Sequence, residues 1–212
     1  RIDCLVDGGI CRLGEVGEPL NTPDDLAVRS DGTLYFTDPT FGQALAQGRF
    51  SARAPQGVYR LTRDGVLHLE DQSLGGPNGV VFSPDEKTLY VSYTTSGSIA
   101  AFSVAADGSL GKKITFASAL TPDSMCVDAQ GNVYVATLLG LSVFGPGGGM
   151  PIGTIPVGGD VATNCAFGGV DQKTLFITSH SALTLIAAPV RPGGSSLSKI
   201  EQMPVAGMPG RN

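Results

Sequence analysis

Four oxygen-bearing side chains stand at one repeated position of this chain: Asp24, Asn78, Asp123 and Asn164. Each opens a similar segment, in which a short polar signature leads into a strand, an Asp/Gly-type turn and a second strand rich in Leu, Val and aromatics. The segments are NTPDDLAVRSDGTLYFTD (21–38), GPNGVVFSPDEKTLYVSYT (76–94), TPDSMCVDAQGNVYVAT (121–137) and ATNCAFGGVDQKTLFITSH (162–180). Converging carboxylate and amide oxygens are the donor set of a hard cation. Ca2+ fits best, because it takes about six to eight oxygens and tolerates irregular geometry; Zn2+, Mg2+ or Mn2+ are the other divalent candidates. No His-plus-Cys cluster competes for zinc. Taken singly, Asn and Asp after Pro or Gly are also ordinary turn and strand-entry residues that bond their own backbone.

The elements that must position these residues are strands. Period-2 patterns with β-branched and aromatic residues dominate, with no long stretch of helical period. Each repeat reads as four strands: first strands at 25–30, 79–84, 124–129 and 164–169; second strands at 33–38, 88–93, 132–137 and 174–179; third strands at 57–62, 98–104, 140–145 and 182–188; fourth strands at 66–71, 113–118, 151–157 and 196–202. The first strands are the most apolar, as strands nearest the middle of a ring should be. Four strands per unit, repeating every ~40–54 residues, is the signature of an all-β propeller. A β-sandwich would give no reason for near-identical units. The absence of Trp argues against the WD40 class. Residues 1–20 read as the last strand of a preceding blade plus a loop. The expectation is a single propeller domain over 1–212 with about four complete blades, part of a ring with more.

Strand direction collects the chemistry. The start of a first strand and the end of a second strand share one face of the ring. Asp24, Asn78, Asp123 and Asn164 therefore gather near the axis, with Asp38, Tyr93, Thr137 and His180 around them. The longest non-repetitive insertion, residues 39–55, is a candidate lid or substrate wall.

Composition excludes several classes. Charged residues make up 16% and Gly numbers 30, which suits many tight turns. The net charge is −5 with a pI near 4.9 and no basic run, against nucleic-acid binding. No apolar run is long enough for a membrane span. The opening RIDCLVDGG has no signal-peptide regions, so a soluble protein is expected, cytoplasmic or periplasmic/secreted. The chain starts in mid-strand, and a larger N-terminal part is expected before it. None of Cys4, Cys11, Cys126 and Cys165 forms a CxxC pair. Cys126 and Cys165 read as buried small hydrophobes; Cys4 and Cys11 flank a Gly-Gly turn and could pair in an oxidising compartment.

The stretches TPDDLAVRSDGTLYFTDPTFG, GGPNGVVFSPDEKTLYVS, PDSMCVDAQGNVYVAT and TNCAFGG resemble, in order and spacing, the motifs of the gluconolactonase / senescence-marker-protein (regucalcin) family. The resemblance covers almost the whole chain. It implies a six-bladed propeller and a Ca2+- or other divalent-metal-dependent hydrolase of sugar lactones or related esters; related propellers hydrolyse phosphotriesters. It also implies a metal held by a Glu from the first blade and by an Asn and an Asp from later blades, the latter two matching Asn78 and Asp123. A further Asn of the family, at the metal or the substrate, matches Asp24, so a carboxylate replaces an amide there. The N-terminal Glu motif is not present in the chain, which begins about two blades late by this comparison.

The expected chemistry is metal-assisted hydrolysis, with a lactone or ester as the small-molecule partner. A metal-bound carboxylate, Asp123 by resemblance, orients or deprotonates water, and Asp24 is the alternative base. Asp24, Asn164 and His180 are the candidate substrate contacts. A non-catalytic ligand- or Ca2+-binding propeller, or a phosphotriesterase or arylesterase on the same metal site, are the alternatives. His68 falls on an outer strand and reads as a surface residue. GxSxG does not occur, so no nucleophile elbow is present. The run GPGGGMP (145–151) lacks the Lys-Ser/Thr of a P-loop and reads as a hairpin loop.

Overall fold

The computed structural model describes residues 2–5, 10–13, 20–41, 54–157, 161–180, 185–189 and 201–203, with side chains for 20–41, 54–157 and 161–180. Four four-stranded antiparallel sheets follow one another along the chain, each a sequential meander. The first holds β3 (Leu26–Val28), β4 (Leu34–Asp38), β5 (Gly57–Leu61) and β6 (Leu67–Asp71). The second holds β7 (Pro77–Phe82), β8 (Thr88–Tyr93), β9 (Ser98–Val104) and β10 (Leu110–Ser118). The third holds β11 (Met125–Val127), β12 (Val133–Thr137), β13 (Gly140–Phe144) and β14 (Gly153–Ile155); the fourth holds β15 (Ala162–Gly168), β16 (Thr174–Ser179), β17 (Leu185–Pro189) and β18 (Glu201–Met203). These are the blades of a β-propeller.

At the N-terminus, β1 (Ile2–Leu5) and β2 (Ile10–Leu13) pair with each other, Cys4 opposite Cys11. The expected single strand in this region is thus a two-stranded unit. Whether Cys4 and Cys11 are bonded lies outside the described side chains.

The turns between first and second strands explain part of the repeat. In the first blade the Arg29 carbonyl accepts from Gly32 N–H, and Asp31 Oδ1 accepts from Thr33 N–H. Gly32 sits at φ +87°, a conformation that costs a glycine nothing. The third blade repeats this with Asp128, Asn132 and Gly131 at φ +83°. Residues 145–151 connect β13 to β14, as expected of a hairpin loop, and Gly149 N–H donates to Phe116 O of the preceding blade.

Blades pack face to face through three apolar clusters. Tyr35, Val58, Val80, Leu89 and Val91 fill the first junction; Tyr90, Ile99, Phe116, Val133, Val135 and Phe144 the second; Tyr134, Leu141, Leu175 and Ile177 the third. Fully burying a side chain of this size stabilises by about 1.5–3 kcal/mol. The second strands, not the first, carry the densest core: β12 is buried at every position, while Leu26 and Val28 of β3 are exposed. A second strand has a hydrogen-bonded neighbour on each side, and in the second and third blades it packs between two neighbouring blades. Leu26 and Val28 lie opposite Phe36 and Leu34, on the face of the first sheet turned away from the second blade, whereas the first strands β7 and β11 are buried at Pro77–Val80 and at Met125 and Cys126.

The third junction also has a covalent link. Cys126 of β11 and Cys165 of β15 form a disulfide, with Cα atoms 5.6 Å apart. Both cysteines are buried as expected, but they are bonded rather than free hydrophobes. They occupy different positions in the repeat, and only the offset packing of neighbouring blades brings them together.

Candidate functional site

The structure builds one site level from the starts of the first strands. In the first blade Asp24 N–H donates to Thr37 O and Thr37 N–H to Asp25 O, at 3.0 Å each. In the third, Asp123 N–H donates to Ala136 O (2.9 Å) and Ala136 N–H to Ser124 O (3.0 Å). Asp24 and Asp123 are thus equivalent in hydrogen bonding as well as in sequence. The second blade differs. Its β7–β8 register shifts between Pro77 and Val80, and Gly79 N–H donates to Ser92 Oγ (2.8 Å). Such irregularities re-aim a side chain, and the residues inside this one are Asn78 and Gly79.

Hydroxyls tie these strands together from blade to blade. Thr37 Oγ1 donates to Asn78 O (2.6 Å), Ser92 Oγ to Asp123 O (2.7 Å) and Thr94 Oγ1 to Pro122 O (2.7 Å). Gly79 permits the tight approach: a Cβ there would lie 2.5 Å from Ser124 Cα and 2.8 Å from Asp123 O. Asp25 adds a carboxylate between blades. Its Oδ2 accepts from Val80 N–H and from Ser124 Oγ, both at 3.1 Å, and its Oδ1 from Leu26 N–H at 2.9 Å.

Asp24, Asn78 and Asp123 come together electrostatically. Burial first, then the neighbouring Asp24, push the Asp123 carboxyl up to about 6; Ser124 N–H and the Asn78 carboxamide pull the other way. Asp24 is raised too, by partial burial of its carboxyl and then by Asp25. Asn78 is buried, and its Nδ2 donates to Thr94 Oγ1 at 3.0 Å. Its Oδ1 is buried with no hydrogen-bond partner. A buried acceptor left unpaired costs about 1–3 kcal/mol. The Asn78 carboxamide that bears it lies beside one carboxylate raised by a second. An oxygen-lined cluster of this kind fits a hard divalent cation, which would satisfy Asn78 Oδ1 and relieve the repulsion between the carboxylates. Among the described residues no three His, Cys, Asp or Glu side chains form a ligand group by themselves, so the donor set here is mixed carboxylate and amide oxygen.

The other residues singled out by sequence behave differently. Asn164 is exposed and its Oδ1 accepts from Cys165 N–H at 2.7 Å, the self-bonding expected of a strand-entry Asn. His180 is exposed at the end of β16, its backbone N–H donating to Val161 O. The side chains at the ends of the second strands do not form a ring of free polar groups around the axis. Asp38 is fully buried and accepts from Asn21 N, Asn21 Nδ2 and Thr22 N. Tyr93 donates to Asp71 Oδ2 and Thr137 Oγ1 to Gly140 O. Each is spent on holding a loop or the outer strands. His68 lies on the fourth strand β6, as expected. Residues 42–53, most of the candidate lid, lie outside the described residues. Asp25, Ser124 and Gly79 are not among the candidate site residues that the sequence points to. Their signal was present as the position after each aligned donor, where the four repeats carry Asp25, Gly79, Ser124 and Cys165.

Four-stranded blades around an axial cluster of oxygen donors define a β-propeller with a cation-compatible site at one end of its first strands. Comparison with known proteins narrows the class. The SMP-30/Gluconolactonase/LRE-like region matches residues 8–181, and the chain belongs to that family. A gluconolactonase of Zymomonas mobilis is 36% identical over 181 residues, covering 79% of this chain and 51% of that protein. The solved structure of XC5397 from Xanthomonas campestris, described as a gluconolactonase, is similar with a TM-score of 0.70 and 42% identity, over 77% of this chain and 56% of that one. A calcium-binding regucalcin from Agrobacterium tumefaciens shares the fold, with a TM-score of 0.64 at 22% identity, over 82% of this chain and 62% of that one. The chain spans about half the length of the Zymomonas relative.

Proposed function

We propose that the protein is a divalent-metal-dependent hydrolase of sugar lactones or related esters, with Ca2+ as the first candidate metal. The observation that carries this reading is the buried, unpartnered Oδ1 of Asn78, whose carboxamide lies beside Asp123, in a chain of a family whose named members include gluconolactonases. Asn78 Oδ1 and the Asp123 carboxylate would hold the cation. When bound, the cation supplies polarisation of the lactone carbonyl and stabilisation of the charge that develops on its oxygen.

The chain's own groups do the rest. Asp123, ionised at neutral pH, orients a water molecule and accepts its proton as the water oxygen bonds to the carbonyl carbon. The ring C–O bond then breaks, and the leaving ring oxygen takes the proton that Asp123 accepted, which gives a hydroxy acid and restores the Asp123 carboxylate. Asp24, near enough to raise the Asp123 carboxyl and more open to solvent, accepts from a substrate hydroxyl or serves as the second base in this reading. Asn164 and His180 stand as outer substrate contacts in this reading.

The test is hydrolysis of glucono-δ-lactone by the full-length protein, followed with a pH indicator. Turnover is expected with added CaCl2, MgCl2, MnCl2 or ZnCl2, and its loss with EDTA. Replacing Asn78 by Leu should weaken calcium binding, measured by titration calorimetry, at least tenfold. Turnover that survives complete metal removal would overturn the metal reading. Calcium binding without turnover of any lactone or ester would make the protein a binding propeller instead.

A further inference from the structure

We infer that Asp25 is a positioning residue for this site: through Val80 N–H and Ser124 Oγ–H, its carboxylate fixes the strands that present Asn78 and Asp123 relative to its own neighbour Asp24. The inference rests on the hydrolase reading above and deepens it.

The geometry is unusual for a repeat. Asp25, Gly79, Ser124 and Cys165 occupy equivalent positions, each directly after a candidate donor. Only the first bears a charge, and it is not aimed at the candidate metal donors. Asp25 Oδ2 accepts from Val80 N–H (3.1 Å), two residues past Asn78. It also accepts from Ser124 Oγ (3.1 Å), next to Asp123 and 99 residues away in sequence. The second bond reaches from the first blade to the third, past the intervening second blade. Gly79 stands at this level of the second blade, and its missing side chain leaves that approach open; a Cβ there would press on Ser124 Cα and Asp123 O. One carboxylate thus joins three first strands at the level just below the three oxygen donors. The main-chain clasps from Thr37 and Ser92 link only successive blades; the Asp25–Ser124 bond alone, among the described residues, closes the triangle.

Groups of this kind orient the donors that touch a metal or substrate, and removing them typically costs about 10–100-fold in metal affinity or activity. The experiment compares Asp25→Ala, Asp25→Asn, Ser124→Ala and the Asp25→Ala/Ser124→Ala double variant in the full-length protein. It reads calcium affinity by calorimetry and kcat and KM with glucono-δ-lactone. Asp25→Ala should weaken calcium binding and lower kcat about 10–100-fold, with KM within about threefold. Asp25→Asn, which keeps a carbonyl acceptor for Val80 and Ser124, should recover most of that loss. Adding Ser124→Ala to Asp25→Ala should change nothing further beyond about twofold, because the two residues act as one unit.

Unchanged calcium affinity and kcat in Asp25→Ala would overturn the inference. So would multiplicative losses in the double variant, or an Asp25→Asn protein as impaired as Asp25→Ala. Should Asp25→Ala fail to fold, Ser124→Ala decides: a fall in kcat and calcium affinity supports the inference and wild-type values overturn it. A wild-type protein that neither binds calcium nor hydrolyses lactones would overturn the hydrolase reading, and this inference with it.

Discussion

Replacing Asp123 by Asn should remove activity and, without metal, make the protein more stable at neutral pH. Asp123 is ionised at pH 7.5 in both folded and unfolded chains. Folding raises its carboxyl from 3.8 to about 6, through burial first and Asp24 second. For a fully shielded group that rise is about 3 kcal/mol against the ionised form; solvent screening of a partly open carboxylate reduces it to about 1–2 kcal/mol. The sign follows from proton binding. The folded state holds the proton more tightly, so stability is lost as pH rises from about 4 through about 6 and stays lost above. Asn carries no such penalty. Asp123→Asn, freed of metal, should therefore unfold about 2–8 °C above the wild type at pH 7.5, on about 2–4 °C per kcal/mol for a chain of this size. The gap should close at pH 4. Calcium at 100 times its dissociation constant should stabilise the wild type by about 2.7 kcal/mol and leave the variant unmoved. Turnover should fall about 10²–10⁴-fold. Scanning calorimetry at the two pH values, with and without calcium, checks the first part, and lactone turnover the second. A metal-free variant less stable than wild type at pH 7.5, or equally shifted at both pH values, would refute the electrostatic reasoning; retained turnover would refute the role of Asp123.

Removing the Cys126–Cys165 link with paired Ala substitutions releases a cross-link between residues 39 apart. Loop entropy puts the loss at about 4 kcal/mol, seen as a fall of about 8–16 °C in unfolding temperature; no fall would mean the thiols are not bonded in solution, which a thiol titration of the unfolded protein also reads. Gly79→Ala inserts a methyl group 2.5 Å from Ser124 Cα, so the start of the third blade must shift. A loss of about 1–3 kcal/mol by calorimetry is expected, with weaker calcium binding, and wild-type values for both would show that the junction yields easily.

Much of the fold was legible because its signals are local. Period-2 alternation marks strands, and turn chemistry such as Asp31-Gly32 and Asp128…Gly131 marks their reversals. Recurrence of both at blade length marks a propeller. What local pattern could not rank was burial. The first strands read as the most apolar, yet Leu26 and Val28 are exposed while β7 and β11 are largely buried, because burial depends on which face of a sheet meets a neighbouring blade and not on strand order.

For the site, the sequence by itself determined that Asp24, Asn78, Asp123 and Asn164 begin equivalent strands, since equivalence in a repeat is a matter of alignment. It did not distinguish among them. Tertiary structure did: a shifted register at Asn78 leaves its Oδ1 buried and unpaired, whereas Asn164 bonds its own strand. The pairing of Cys126 with Cys165 and the bridge from Asp25 to Ser124 are likewise tertiary facts. They join residues 39 and 99 apart at different or equivalent repeat positions. No alternation or spacing encodes such contacts, because they depend on how far each blade is offset and rotated against the next.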